Sequence, residues 1–311
     1  MGAGDRVCRR IVPRRACRTP AGDGCVAGAV GVNQTPAAAL DRVPARCATM
    51  RQVLGLAIGL VLLGALFGVL ERVWPAVPDQ RRSYRALFTD LCWWVYTPLL
   101  GKPAMKLALG IALLPLFLLL GHSFDREYLM HGFGPVSGLP AAAQAMILLV
   151  LGDLVGYWQH RIFHGKRLWR FHAVHHGARE LTWTAAVRVH PVNDLGGQLA
   201  QALPFVLLGF SPAVVTAYVP FLTLYAIALH ANLRWDFGPL RYVFASPAFH
   251  RWHHARDMRD CNFAGLLPMW DALFGTLHLP RGEHPQRFGI DGEEVPEGFL
   301  AQLAYPFRRA A

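Results

Sequence analysis

Long uncharged apolar runs restrict the fold of this chain more than any other feature of it. Val53 to Leu70 is a stretch of 18 residues without a charge, closed by Glu71 and Arg72, and a helix needs about 20 such residues to cross a bilayer core. A second run extends from Leu107 to Gly121 and a third from Leu139 to Trp158. The fourth, Leu203 to Leu229, is 27 residues long and is interrupted by Pro204, Pro212 and Pro220, which suits a bent or hairpin pair of helices better than one straight span. The sequence therefore predicts an all-α integral membrane protein with about four transmembrane or hairpin segments. A composition of 53% hydrophobic and 16% charged residues is unusual for a soluble protein, and the two kinds of residue are segregated along the chain.

The net charge of +11 raises the possibility of a nucleic-acid partner, but its distribution argues against one. Eight Arg against three Asp within residues 1–49 account for +5, leaving +6 for the rest, where basic residues flank the apolar runs as expected of loops on an anionic membrane leaflet. Residues 1–49 show no sustained helical or strand period and no apolar core of a signal peptide. They read as disordered, or as a mis-assigned extension with the natural start at Met50. Four of the six cysteines fall there, leaving only Cys92 and Cys261, too few for a disulfide framework.

Charge also orients the spans. The stretch from Glu71 to Lys106, read as a loop, carries six Lys or Arg, whereas His122 to Gly138 carries only Arg126, so the former is expected on the cytoplasmic side. Counting forward, the third span leaves the membrane on that same side at His160. Trp93 and Trp94 suit the membrane interface.

Just past that exit the histidines begin. His160-Arg-Ile-Phe-His164 sets two imidazoles at i and i+4; His172-Ala-Val-His175-His176 follows, and His250-Arg-Trp-His253-His254 repeats that spacing far downstream. Helical spacing of three and four residues puts such side chains on one face, where two can share a metal. Eight of the fourteen histidines lie in these clusters; one tetrahedral ion needs about four ligands, so the number points to two ions. Imidazole alone is compatible with iron, copper, nickel or zinc. Asp153 stands at membrane depth, where an unpartnered acid costs about 2.5–3.5 kcal/mol. Seven residues before His160, it shares that face and is expected to hydrogen-bond a metal-bound imidazole. Asp271 and Asn262 are open between orienting a ligand imidazole and capping local structure. Arg161 and Arg251, inside the clusters, are expected on lipid headgroups or backbone carbonyls.

At these residues the sequence resembles the fatty acid hydroxylase / sterol desaturase superfamily, whose HxxxH, HxxHH and late HxxHH pattern is met by His160/His164, His172/His175/His176 and His250/His253/His254. Further segments agree with it: Asp153-Leu-Val-Gly-Tyr157-Trp-Gln-His160, Arg188-Val-His190-Pro191, His230-Ala-Asn232 and the stretch from Asn262 through Trp270-Asp271 to Thr276. The resemblance covers roughly Leu139 to Phe307. It implies membrane helices over 50–138, a catalytic region over 139–311 and a cytosolic histidine-rich helical cap. That cap would hold two non-haem iron ions that activate O2 to hydroxylate or desaturate a fatty acyl or sterol-like lipid. It also implies that His190 and His230 are further ligands.

No side chain is assigned as nucleophile or acid–base catalyst. The chain has neither a Gly-rich dinucleotide fingerprint nor a CxxCH haem attachment, so electrons are expected from a separate ferredoxin or b-type cytochrome system. The expected location is a bacterial inner membrane with the metals facing the cytoplasm. The alternative is a membrane metal-binding or transport protein without oxygenase activity; a transporter would carry ligands at the midplane of several spans, whereas these clusters follow a span or lie in polar segments.

Overall fold

The computed structural model describes residues 45–81, 83–121, 127, 131–258, 260–292 and 294–308. Contacts divide the chain into Met1–Ala48 and one compact unit, Thr49–Ala311. The expectation that residues 1–49 are disordered, or an extension before a start at Met50, lies outside the described residues except at 45–49, which are helical.

Ten α-helices are described. Helix α1 (Ala45–Val73) is followed by α2 (Tyr84–Tyr96), which passes through one π-helical turn, Thr97–Gly101, into α3 (Lys102–Leu120). The turn has a covalent cause. Pro98 and Pro103 lack the N–H that an α-helical ladder uses, and the Lys102 N–H reaches back five residues to the Thr97 carbonyl, the spacing of a π-bulge. Helix α3 ends on Gly121, whose φ of +67° is the left-handed C-cap conformation that glycine adopts without strain. Then come α4 (Ala141–Phe163), α5 (Trp169–His176), α6 (Pro191–Leu208), α7 (Pro212–His230), α8 (Pro247–His253), α9 (Met269–Leu273) and α10 (Phe299–Ala304). Among the described residues β-structure is confined to two isolated bridges.

Among the described residues four helical stretches are long and apolar enough to cross a membrane: Thr49–Val73, Tyr84–Leu119, Ala141–Phe163 and Pro212–His230. Their apolar side chains face outward; Val61 is 70% and Leu119 82% exposed, as lipid-facing residues must be and soluble-core residues are not. The proline-broken stretch is a helix pair, α6 and α7, reversed at Gly209–Ser211. Only Pro212 marks the break, at the first turn of α7, while Pro204 and Pro220 lie inside helices. Asn193 in the first turn of α6 bonds His172, and His230 at the end of α7 lies against His175. Both open ends of the pair therefore meet α5, the arrangement needed for distant histidine clusters to join.

The second span is longer than the apolar run suggested. Most of the stretch from Glu71 to Lys106 is helix, because Thr89, Asp90, Trp93 and Trp94 turn inward and interrupt the apolar run without interrupting the helix. Asp90 forms a buried ion pair with Arg188 and accepts a hydrogen bond from Thr184 Oγ1 at 2.7 Å. The two tryptophans are accordingly not at the lipid interface. Trp93 is fully buried and its Nε1 donates to Gln302 Oε1 at 2.7 Å; Trp94 Nε1 donates to the Thr184 carbonyl at 3.1 Å. Each indole fixes a different cap segment to α2.

Trp93→Ala should cost about 3–5 kcal/mol, the range for emptying a buried tryptophan site, read as a lowered unfolding midpoint in detergent. A change within about 0.5 kcal/mol, the surface range, would return Trp93 to the membrane interface.

Candidate metal centre

Four helices end at one place. The C-termini of α4, α5, α7 and α8 carry His160 with His164, His175 with His176, His230, and His253 with His254 respectively. Unsatisfied carbonyls give a helix C-terminus partial negative charge, which favours a cation. Helix α8 is short but well started: Pro247 occupies its first turn, and Ser246 Oγ accepts from the Phe249 N–H at 3.2 Å, a standard N-cap.

Nine imidazoles gather here in two groups. His160, His164, His172, His176 and His253 form one; His175, His230, His250 and His254 form the other, and within each the candidate ligand atoms lie within 4.8 Å of one another. The groups adjoin, the ring centroids of His176 and His254 being 4.4 Å apart. All nine are buried except His160, which is half-buried.

Hydrogen bonds decide which nitrogen faces inward. His160 Nδ1 lies 2.8 Å from the Phe263 carbonyl, His253 Nδ1 2.7 Å from the Cys261 carbonyl, His230 Nδ1 2.7 Å from the Ala226 carbonyl and His172 Nδ1 2.8 Å from Asn193 Oδ1. A carbonyl only accepts, so each of these neutral rings carries its proton on Nδ1 and turns a lone pair inward on Nε2. His160 Nε2 and His172 Nε2 are nevertheless 3.0 Å apart, and His176 Nε2 is 3.2 Å from the latter. In the second group His230 Nε2 is 3.2 Å from His175 Nε2 and 3.1 Å from His250 Nε2. His253 Nε2 is buried with no hydrogen-bond partner. Between His160 and His172, whose protons both sit on Nδ1, the facing Nε2 lone pairs have no proton between them and repel unless a cation joins them. Two nitrogens about 2.1 Å from one ion and at right angles around it would be ~3.0 Å apart, so the donor set fits a metal ion in each group.

Burial first, and neighbouring imidazoles second, hold the pKa values of His172, His176, His250, His253 and His254 well below the ordinary imidazole range; burial and then His230 do the same for His175. Neutral rings are the form that ligates.

The predicted outer partners hold the centre differently from expectation. Asp153 does not touch an imidazole: seven residues along a helix span about 10.5 Å, so sharing the His160 face does not bring the groups within reach. Its carboxylate instead accepts the N–H groups of Gly265, Leu266 and Leu267 at 3.1, 2.8 and 2.8 Å. Asp271 accepts from the N–H groups of Phe263 and Ala264 at 2.7 and 2.9 Å and from Thr276 Oγ1 at 2.7 Å. Asn262, at a left-handed φ of +54°, donates to the carbonyls of Phe249 and His278 and accepts from the His278 N–H. All three fix the loop 261–267, whose Cys261 and Phe263 carbonyls orient His253 and His160.

His230 joins the second group, but His190 joins neither. His190 is the N-cap of α6, its Nδ1 accepting from the Val192 N–H at 3.2 Å and its Nε2 lying 3.2 Å from the Leu303 carbonyl, so both ring nitrogens have partners elsewhere. Arg251 is fully buried and donates to the Leu181 carbonyl at 3.1 Å, whereas Arg161 donates to Tyr157 Oη at 2.9 Å. Sequence reasoning missed Asn193 and Asp260, the latter 3.2 Å from His164 Nδ1; nothing in their spacing marks them. It also read Glu71 as the end of a span, yet Glu71 is buried and accepts from the Trp183 and Asn232 N–H groups.

Residues 145–276 match the fatty acid hydroxylase family, a segment that contains both imidazole groups. The chain is 37% identical over 179 residues to the ornithine lipid hydroxylase OlsE of Rhizobium tropici, covering 55% of this chain and 52% of that one. It is 35% identical over 128 residues to alkylglycerol monooxygenase of Danio rerio, covering 40% and 28%. With methylsterol monooxygenase 1 of Rattus norvegicus it shares 28% identity over 137 residues, covering 43% and 46%. The chain thus spans about half or less of the length of these relatives. No solved structure matches it.

Two outcomes follow. His253→Ala should lower the metal bound by purified protein while His190→Ala leaves it unchanged; equal losses would restore His190 to the ligands. In metal-free protein the depressed histidine pKa values mean that the unfolded chain takes up protons that the folded chain refuses below about pH 6.5. Stability is therefore full above that pH and falls below it, so the melting temperature should drop between pH 7 and pH 5; a flat or rising profile would contradict the buried neutral cluster.

Proposed function

We propose that this chain, whose residues 145–276 match the fatty acid hydroxylase family and whose helices include four long and apolar enough to cross a membrane among the described residues, is an O2-dependent lipid hydroxylase whose two imidazole groups hold two iron ions. The observation that carries the reading is the set of Nε2–Nε2 separations of 3.0–3.2 Å in two adjoining groups. Five nitrogens in one group and four in the other, with no carboxylate among them, form a donor set unlike the two-histidine, one-carboxylate triad. Bound iron supplies the redox chemistry with O2 that no side chain in this site performs.

The protein's own part is to hold, orient and exclude. The 261–267 loop and Asn193 lock the rings, burial keeps them neutral, and the surrounding apolar clusters keep water from the reacting lipid. Membrane helices over 50–138 and the region 139–311 together present the site to acyl or sterol-like substrates. Hydroxylation is favoured over desaturation because the relatives' names are hydroxylase and monooxygenase. The balance, R–H + O2 + 2e⁻ + 2H⁺ → R–OH + H2O, requires an external electron donor, proposed as a ferredoxin or b-type cytochrome system. The basic residues Arg81, Arg85, Lys166 and Arg167 near the cap-side ends of the helices support a cytoplasmic site in a bacterial inner membrane.

Lipid extracts of cells with and without the protein should differ by one added oxygen, and purified protein should contain iron and consume O2 only with lipid and reductant. Active protein without iron, or an iron-loaded protein with no lipid oxidation, would favour the metal-binding or transport alternative.

A further inference from the structure

Between α3, α4, α6 and α7 lies a cavity of about 440 Å³, within the size range of small-molecule sites. Its outer side is apolar, with Leu109 on α3 and Val219 on α7, the latter 54% exposed where lipid would stand. Its other lining includes the amides Asn193, Gln198 and Gln201 and the phenol of Tyr218. Polar groups among membrane helices are costly and are characteristically functional.

Some of these groups have partners. Gln201 Nε2 donates to the Gly152 carbonyl at 2.8 Å, and Asn193 Oδ1 orients His172. Gln198 Nε2 and Tyr218 Oη are buried and have none, and each unsatisfied buried polar group costs about 1–3 kcal/mol. Gly152 keeps the space beside the phenol open, since a Cβ there would lie 3.4 Å from Tyr218 Oη and 3.3 Å from the Phe205 ring.

We propose that this cavity binds the acyl carbonyl of an ester- or amide-linked lipid, with Gln198 Nε2–H and Tyr218 Oη–H donating to it. The proposal rests on the hydroxylase reading of the imidazole groups and narrows its substrate to lipids with a carbonyl linkage. An ether-linked chain offers a weaker acceptor and leaves the two donors poorly satisfied, a situation that gives sites built for hydrogen bonding their selectivity. Asn193 lines the cavity and also orients His172, so the cavity and the first imidazole group share one side chain.

The test uses full-length protein in detergent, competing an N-acyl amino-acid lipid against an O-alkyl glycerol ether of matched chain length and reading bound lipid by native mass spectrometry. The amide-linked lipid should bind about tenfold more tightly, equivalent to ~1.4 kcal/mol. Tyr218→Phe and Gln198→Leu should each remove most of that preference while leaving bound metal unchanged. Tyr218→Phe deletes a single oxygen and keeps the test informative should Gln198→Leu not fold. Equal binding of the two lipids to the wild type, or full preference in Tyr218→Phe, would overturn the proposal. Failure of the hydroxylase reading is separately visible: amide preference would persist in a protein that holds no iron and oxidises no lipid.

Discussion

The hydrogen bond from His160 Nδ1 to the Phe263 carbonyl, with its counterpart from His253 Nδ1 to the Cys261 carbonyl, is the constraint on which the first imidazole group depends. An imidazole has two nitrogens, and only the one without a proton can ligate. By accepting a hydrogen bond from Nδ1–H, a backbone carbonyl sends the Nε2 lone pair inward, and it does so from a loop that cannot drift because Asp153, Asp271 and Asn262 hold its amides and its flanks. The acid within a membrane helix, so expensive on its own, is thus satisfied by three backbone N–H groups and in return sets ring orientation two helical turns away.

The same logic explains why the cap is built from ends of elements. Helix C-termini bring negative potential to the cluster; the α6–α7 reversal brings Asn193 and His230 back to α5; and Glu71, at the end of the first span, fastens the segments beginning at Trp183 and Asn232. Trp93 and Trp94 tie α2 to the cap through indole N–H bonds. Membrane spans and histidine cap are therefore one packed unit.

The eight clustered histidines were legible because i, i+3 and i+4 spacing is a local property that survives any tertiary arrangement. Their grouping was not: His175 and His176 are neighbours in sequence yet serve different groups, a split that depends on which facing helix each ring meets. His190 and His230 looked alike, each a lone histidine in a familiar segment. One caps a helix and the other joins an imidazole group, because His190 precedes Pro191 at a helix start while His230 closes a helix whose Ala226 carbonyl accepts a hydrogen bond from its Nδ1–H. Shared helical face misjudged the reach of Asp153, which holds the amides of residues 265–267 instead of an imidazole. Apolar runs located each of the four candidate spans among the described residues and understated the second, since inward polar residues on α2 hide a helix from a charge-free window.

The most direct test of the central claim is iron K-edge X-ray absorption on purified, iron-loaded protein. The imidazole-only donor set predicts a first shell of nitrogen and oxygen at about 2.1 Å with strong outer-shell scattering from several imidazole rings per iron. A shell with sulfur, or one whose outer scattering lacks imidazole, would contradict the two all-histidine groups.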